Sequence, residues 1–462
     1  MKHGVLSLGL KEDPVPHRIE VSRVLRLGLE TEDGKLLGFE AAALKTDRTL
    51  RPALWQQVLE SYQETIVERV CGPRRHPLAR GRRAPFQCPA CGRNRGFRRR
   101  GYRSRHRVLL TRVGRLELRL AQVGCRCGRR FAPLLQLLGV EPGMRLAPGL
   151  ARRAASLATE TSFAKAADHV AIETGTSPSI RTIKRLVRAA GRRCDLSRPR
   201  TDLVEVPALL VDGTRVPAGP RYGRRAFSAR GVELNIACAV MGRDRSGRRP
   251  KAHIELVGAT VARPWSALEP AVHACSDAAI AVTDGDAAID SMLERAAPGV
   301  PRQHCTFHVH HNVWHRLWQD GIPITKRDAV IDRLLSPIMT ATSRRASVEA
   351  AEASVRFAED HGWNHTAVHL RRTAPQLATW RAVRRTRRPW RMPGRSRPEH
   401  TTSVLERTMR EVNRRVDPPG NRWVIEGVRA MTNLLLARRF DHPAWRRLWQ
   451  DEGDIKTWAA LR

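Results

Sequence analysis

Three acidic residues stand in contexts that suit hard cations. Asp212 and Asp284 close two short apolar runs, Ala208 to Val211 and Ala279 to Thr283, and each is followed by Gly. A strand ending on Asp-Gly leaves a carboxylate at the sheet edge while the glycine lets the backbone turn away. Adjacent strands would bring both carboxylates close enough to share divalent ions, which take oxygen ligands. Glu406, within Thr401-Thr402-Ser403-Val404-Leu405-Glu406-Arg407, is the candidate third member, on a helix whose Val404, Leu405 and Val412 can pack on a sheet. Its alternative is an ordinary helical Glu paired with Arg407 or Arg410. Asp286 replaces Asp284 if the strand extends, and Glu255 and Asp290 are weaker reserves.

Softer ligands form two further groups. Cys88-Pro-Ala-Cys91 and Cys125-Arg-Cys127 supply four thiolates from two tight turns, the donor set of a tetrahedral structural Zn2+ with no position left for a substrate. The second pair has one intervening residue where two are usual, so unconnected structural cysteines are the alternative. Nine cysteines, odd in number and unevenly spread, argue against a disulfide framework. The other group is Gln303-His304-Cys305-Thr306-Phe307-His308, with His310, His311 and His315 beyond it. Its spacing permits a zinc half-site, although His311 and His315, one helical turn apart, also describe a plain polar face. Trp314 and Trp318 follow at helical spacing and are read as core, with base stacking as the other use.

The chain has 462 residues, enough for two to four domains. Its 83 Lys and Arg exceed its 45 Asp and Glu, a formal charge of +38. Such an excess points to a polyanionic partner, because each phosphate neutralised releases counterions. No run approaches the roughly eighteen to twenty apolar residues of a membrane span, and the N-terminus lacks a signal-peptide pattern. A cytoplasmic, nucleoid-associated protein is expected, with no membrane partner.

These groups need elements to position them. Leu54, Val58, Tyr62 and Ile66 recur at helical spacing and predict a helix from Pro52 to Val70. Val113 to Val123 alternates as a strand leading to the second cysteine pair. Ser162 should cap a helix from Phe163 to Thr174 that Gly175 ends, and Ser179 one from Ile180 to Ala190. In the latter Ile180, Ile183, Val187 and Ala190 make one face, while Arg181, Lys184, Arg185 and Arg188 make the other. The pair resembles a helix-turn-helix whose second helix lies in a DNA major groove. Val232 to Met241 and His253 to Val257 add strands, and helices are expected over Pro264 to Cys275 and Ala287 to Ala296. Together they predict a mixed sheet covered by helices. Beyond Asn312 the chain reads as helical, with Ser403 to Val416 stopped by Pro418-Pro419. The basic Arg381 to Arg397 segment, including Arg384, Arg385, Arg387 and Arg388, is a candidate clamp on a DNA backbone.

Asp212 in Leu-Val-Asp-Gly, Asp284 in Thr-Asp-Gly, the Cys305-x-x-His308 element about twenty residues on, and Thr-Thr-Ser-Val-Leu-Glu406 before Asn413-Arg414-Arg415 together resemble the DDE transposases of the Mutator-like superfamily and related bacterial insertion sequences. The likeness spans roughly residues 205 to 440, and Cys-x-x-His is its most specific part. It implies an RNase H-like mixed sheet flanked by helices and interrupted by a helical insertion, with the last carboxylate returning on a helix. The expected fold is thus multidomain α+β or α/β: an N-terminal segment with one helix (1–75), a zinc ribbon (76–140), a helix-turn-helix-like domain (141–200), a first catalytic part (201–310), a helical insertion (311–399) and a returning catalytic helix with C-terminal helices (400–462).

By the same resemblance Asp212, Asp284 and Glu406 hold two Mg2+ (or Mn2+) ions that cut and rejoin DNA strands, with Cys305 and His308 supporting them. The implied partners are double-stranded DNA, as element terminal repeats and as target. Holding two element ends together calls for a homodimer or larger assembly. A zinc-containing DNA-binding regulator without catalysis, and an RNase H-like nuclease without strand transfer, are the competing readings.

Overall fold

A computed structural model describes residues 6–7, 18–19, 39–72, 83–140, 143–203, 205–218, 231–244, 251–380, 400–417 and 423–449. The chain divides into two compact units, Met1–Val187 with Arg446–Arg462, and Arg188–Trp445. No helix among the described residues is long and apolar enough to cross a membrane.

The first unit begins with a short antiparallel pair, β1 (Leu6–Ser7) and β2 (Arg18–Ile19), and the long helix α1 (Phe39–Cys71). This helix starts thirteen residues before the expected Pro52. Ala41, Ala42, Ala43 and Leu44 are strong helix formers, and they carry the helix through the proline. Pro52 packs tightly on Gly114, where an added Cβ would lie 2.5 Å from the proline Cγ. Tyr62, Ile66, Val67 and Val70 bury one face of α1 in a core shared with Phe86, Phe97 and Phe131, whose ring centroids lie 5.1 to 5.9 Å apart. Gln63 in the same face accepts from the Ala121 N–H at 2.8 Å and donates to the Arg119 carbonyl at 2.9 Å, satisfying the buried Ala121 N–H.

Strands β3 (Arg98–Tyr102), β4 (Arg107–Thr111), β5 (Gly114–Leu118), β6 (Ala121–Gly124) and β7 (Arg130–Phe131) follow. The expected single strand over Val113 to Val123 is two: β5 closes a hairpin with β4, and β6 pairs between β3 and β7. Leu120 and Ala121 are both wholly buried, so the alternation breaks there as the chain passes between sheets. Next come α2 (Pro133–Leu137), α3 (Pro148–Glu160), α4 (Phe163–Thr174) and α5 (Ile180–Arg193). Ser162 accepts from the Lys165 N–H at the start of α4, Gly175 ends it with φ +67°, and Ser179 accepts from the Thr182 N–H at the start of α5. Ile183, Val187 and Ala190 are buried as the periodicity predicts; Ile180, at the very start of the helix, is 43% exposed.

The second unit is built on a five-stranded mixed sheet of β8 (Ala208–Pro217), β9 (Gly231–Asp244), β10 (Lys251–Val261), β11 (Ala281–Thr283) and β12 (Arg302–His304), in the order β10-β9-β8-β11-β12. The first three are antiparallel, and β11 and β12 run parallel to β8. Leu209, Val211, Ala239 and Ala281 pack against α6 (Glu269–His273) and α7 (Ala287–Ala296). The helix expected over Pro264 to Cys275 is a 3-10 turn at Trp265–Leu268 followed by the short α6, with Pro270 at its start.

Helices α8 (Thr306–Gln319), α9 (Ile324–Thr340), α10 (Arg344–Asp360) and α11 (Asn364–Thr373) form a layer around Val309, Val313, Leu317, Ile331, Leu334 and Leu370. Asp320 caps α11 by accepting from the His365 and Thr366 N–H groups, both at 2.9 Å. Trp314 packs against this core under the Arg327 guanidinium, 4.3 Å from its ring, whereas Trp318, read as core, is 60% exposed. The chain then enters α12 (Ser403–Val416), which contacts β8, followed by α13 (Ile425–Arg439) and α14 (Pro443–Trp449).

Candidate active site

Parallel pairing sets the site. Ala281 is opposite Leu209 and Val282 opposite Leu210, so two residues further on Asp284 comes level with Asp212. Asp212 does not end its strand as expected: β8 continues to Pro217 and pairs Asp212 with Ile236 of β9. Gly213 therefore makes no turn; it makes room for Trp265, whose Cζ2 would lie 2.9 Å from an added Cβ. Gly285 does turn the chain, with φ +83°. Alternation puts Asp212 on the face opposite Leu209 and Val211, and α12 packs on β8.

Glu406 comes back to this point because the start of α12 is fastened to the start of α8. The Thr402 N–H donates to Cys305 Sγ at 3.3 Å, the Thr402 hydroxyl lies 3.4 Å from His308 Nδ1, and the Thr306 N–H donates to the His400 carbonyl at 3.1 Å. His308 Nε2 stands 3.9 Å from Glu406 Oε1, and Arg410 stands 3.7 Å from Oε2. Thr402 carries no sequence signal beyond that of a Thr at a helix-capping position, and its hydroxyl faces the imidazole instead of capping.

The electrostatics follow from burial. Asp212 is 3% exposed, and burial pushes its carboxyl up to about 6; His308 opposes that push, and the Asp284 charge adds to it. The Thr402 hydroxyl is near enough to lower the value, yet Asp212 Oδ2 has no partner at hydrogen-bonding distance, and neither has the buried Glu406 Oε1. Burial also raises Asp284, against the Asp286 N–H that donates to its Oδ1 at 2.8 Å. Burial alone would hold His308 down, but the hydrogen bond with Cys305, then Asp212 and Asp284, push it up to about 9. Cys305 is held below its ordinary value: burial raises it, and hydrogen bonds from His308 and Thr402 outweigh that. His308 stands 3.9 Å from Glu406 and in the field of Asp212 and Asp284, and one buried oxygen each of Asp212 and Glu406 lacks a partner; among the described residues, however, only the four cysteines bring three or more ligand atoms within 4.8 Å of one another, so these carboxylates are not closed around a single point.

The reserves lie elsewhere. Asp286 caps α7 by accepting from the Ala288 N–H at 2.7 Å. Glu255 on β10 pairs with Arg200 at 3.0 Å and His253 at 3.3 Å. Asp290 lies 3.8 Å from His304 Nε2, whose ring sits against Gly285 and whose Nδ1 lies 3.2 Å from the Thr373 carbonyl.

In the first unit Cys88, Cys91, Cys125 and Cys127 present sulfurs that all lie within 4.8 Å of one another, with the closest pairs at 3.6 Å. Sulfurs roughly 2.3 Å from a tetrahedral zinc stand roughly 3.8 Å apart, so the donor set and spacing fit that ion. Arg181, Lys184, Arg185 and Arg188 on α5 are all exposed. Arg185 donates to the Gly143 carbonyl at 3.2 Å, and the Lys184 ammonium lies 5.8 Å from the Phe163 ring centroid. Arg384, Arg385, Arg387 and Arg388 lie outside the described residues.

The second unit is thus a mixed α and β structure, with helices on a five-stranded mixed sheet whose register levels Asp284 with Asp212. The family described as Transposase, Mutator family matches over residues 87–422, and the chain belongs to it. No curated protein matches. Among solved structures, the Drosophila P element transposase strand transfer complex aligns at 12% identity over 69% of this chain and 83% of that one, with a TM-score of 0.24, too low to carry an argument.

Proposed function

We propose that this chain is the DNA transposase of an insertion sequence, cleaving phosphodiester bonds at the element ends and joining the freed 3′-hydroxyl strand to target DNA. The observation that carries this reading is the register that levels Asp284 with Asp212, together with the His308 contact that ties Glu406 to both. In this reading the second unit is an RNase H-like catalytic core with α8 to α11 as its helical insertion. Asp212, Asp284 and Glu406 would hold Mg2+ or Mn2+, and the orphaned Asp212 Oδ2 and Glu406 Oε1 are the oxygens that such ions would satisfy. When bound, divalent ions activate the attacking water or 3′-hydroxyl and stabilise the leaving oxygen of an in-line displacement.

The chain's own residues supply the rest. Cys305 and Thr402 hold His308 in place, and His308 balances the carboxylate charge until cations replace it. The four cysteines would hold a structural Zn2+ in a zinc ribbon, and α4 with α5 would dock as a helix-turn-helix through Arg181, Lys184, Arg185 and Arg188. The division at 75, 140, 200, 310 and 399 belongs to the same proposal, as do a homodimer or larger assembly on DNA and action at the nucleoid in the cytoplasm. The test is cleavage and joining of terminal DNA with Mg2+ by the wild type and by Asp284→Asn. Undiminished cutting by the variant would sink the assignment, and cut but never joined products would leave a nuclease.

A further inference from the structure

At the β10 edge of the sheet a cavity of about 500 Å³ opens between the end of α5, the 194–198 segment, β10 and α13. Its lining includes no residue of the carboxylate site, which lies on β8, β11 and α12. The volume falls in the range of small-ligand sites. Five arginines and only two carboxylates line it. Each carboxylate is already engaged, Glu426 with Arg192 at 2.7 Å and Asp195 with Arg198 at 3.2 Å. Arg263 lines the cavity, is exposed, and has no ion-pair partner among the described residues, so its guanidinium is open to an incoming anion.

Two further atoms there lack partners. Thr260 is 3% exposed, and its hydroxyl makes no hydrogen bond among the described residues. Asn433 has its amide orientation fixed by donation to the Cys194 carbonyl at 2.9 Å, which leaves Oδ1 buried and unsatisfied. Unpaired buried polar atoms cost stability unless a ligand answers them.

We propose that this cavity binds a nucleotide phosphate. The guanidinium groups take the phosphate oxygens, with Thr260 donating to one of them, and Asn433 Oδ1 accepts from a sugar hydroxyl or a base N–H. The phosphate comes from a DNA strand or from a free nucleotide; the DNA source rests on the transposase reading, and the free nucleotide does not.

The full chain, as wild type, Arg263→Ala and Thr260→Val, is titrated with ADP by calorimetry and with a 20-base-pair mixed-sequence duplex at several salt concentrations. Either substitution should weaken ADP binding at least about tenfold if the ligand is free; if it is a strand, Arg263→Ala should lower the salt slope of duplex binding by about one, whereas the uncharged Thr260→Val should weaken duplex binding at unchanged slope. Thr260→Val removes no hydrogen bond among the described residues, so it keeps the fold while weakening the same ligand. ADP affinity and duplex salt slope both unchanged from wild type in the two variants would overturn the proposal. These readouts measure binding without cutting, so they stand apart from failure of the Asp284→Asn test.

Discussion

The His308 imidazole meets Glu406 through Nε2 at 3.9 Å and the Thr402 hydroxyl through Nδ1 at 3.4 Å, so a single ring joins the strand carboxylates to the returning helix. Its folded pKa, about 9, lies above the unfolded value near 6.5, so its stabilisation is complete below about pH 6.5 and is lost as pH rises through 9. In buffer without added Mg2+, His308→Gln should lower stability by on the order of 2 kcal/mol at pH 6, with the gap to wild type closing by pH 10. Denaturant melts across that range check it; a gap independent of pH would remove the imidazolium from the account.

Asp212 runs the opposite way from most carboxylates. Its folded pKa, about 6, lies above the unfolded value near 3.9, so its contribution is present below about pH 3.9 and is lost as pH rises through 6. Without divalent ions, Asp212→Asn should therefore melt at a higher temperature than wild type at pH 7.5, by several degrees, while cutting no DNA. Adding Mg2+ should raise the wild-type Tm and leave that of the variant nearly fixed. Thermal melts without and with added Mg2+ decide it.

Asp284 and Asp286 are two residues apart and should separate cleanly. Asp286 accepts from the Ala288 N–H as the cap of α7, so Asp286→Ala should cost about 1 kcal/mol and leave DNA cleavage within a few-fold of wild type. Asp284→Asn should reduce cleavage at least about a hundredfold, more than the loss of a supporting residue around a metal typically costs. Equal loss from both would assign the wrong aspartate.

Much of this arrangement was legible where local chemistry decides it. Ser162, Gly175 and Ser179 bound their helices as capping rules require, and the span from Ser403 to Val416 is the helix its periodicity predicts. Chain-level contacts hid the rest. Asp212-Gly213 reads locally as a turn, but pairing with β9 carries the strand straight through it, and Gly213 serves the distant Trp265. Pro52 reads as a helix start, yet the Ala-rich stretch before it propagates the helix across. Thr402 could not be assigned without knowing that Cys305 and His308 lie beside it, 97 and 94 residues away.

Four thiols gathered within 4.8 Å at the edge of a core that also holds Phe86, Phe97 and Phe131 should be a folding determinant. One zinc per chain is expected by elemental analysis. Cys88→Ser or Cys125→Ser, both at buried positions, should release it and abolish cooperative unfolding of the first unit, since the metal's binding energy is folding energy. Metal-free protein that unfolds as wild type would show the cysteines to be structural without an ion.

The basic face of α5 offers a sharper separation between binding and stability. Arg181, Lys184, Arg185 and Arg188 are all exposed, but Arg185 donates to the Gly143 carbonyl and so has a folding role as well. Arg181→Ala and Arg188→Ala should leave the Tm within about a degree of wild type, because exposed substitutions outside any network cost little. Each should weaken duplex binding and lower the salt slope by about one if its guanidinium sits on a phosphate. Arg185→Ala should do both, losing affinity and a fraction of a kcal/mol to about 1 kcal/mol of stability with its hydrogen bond. Fluorescence anisotropy at several salt concentrations, paired with thermal melts, checks all three. If affinity falls only where the Tm falls, α5 supports the fold and does not read DNA.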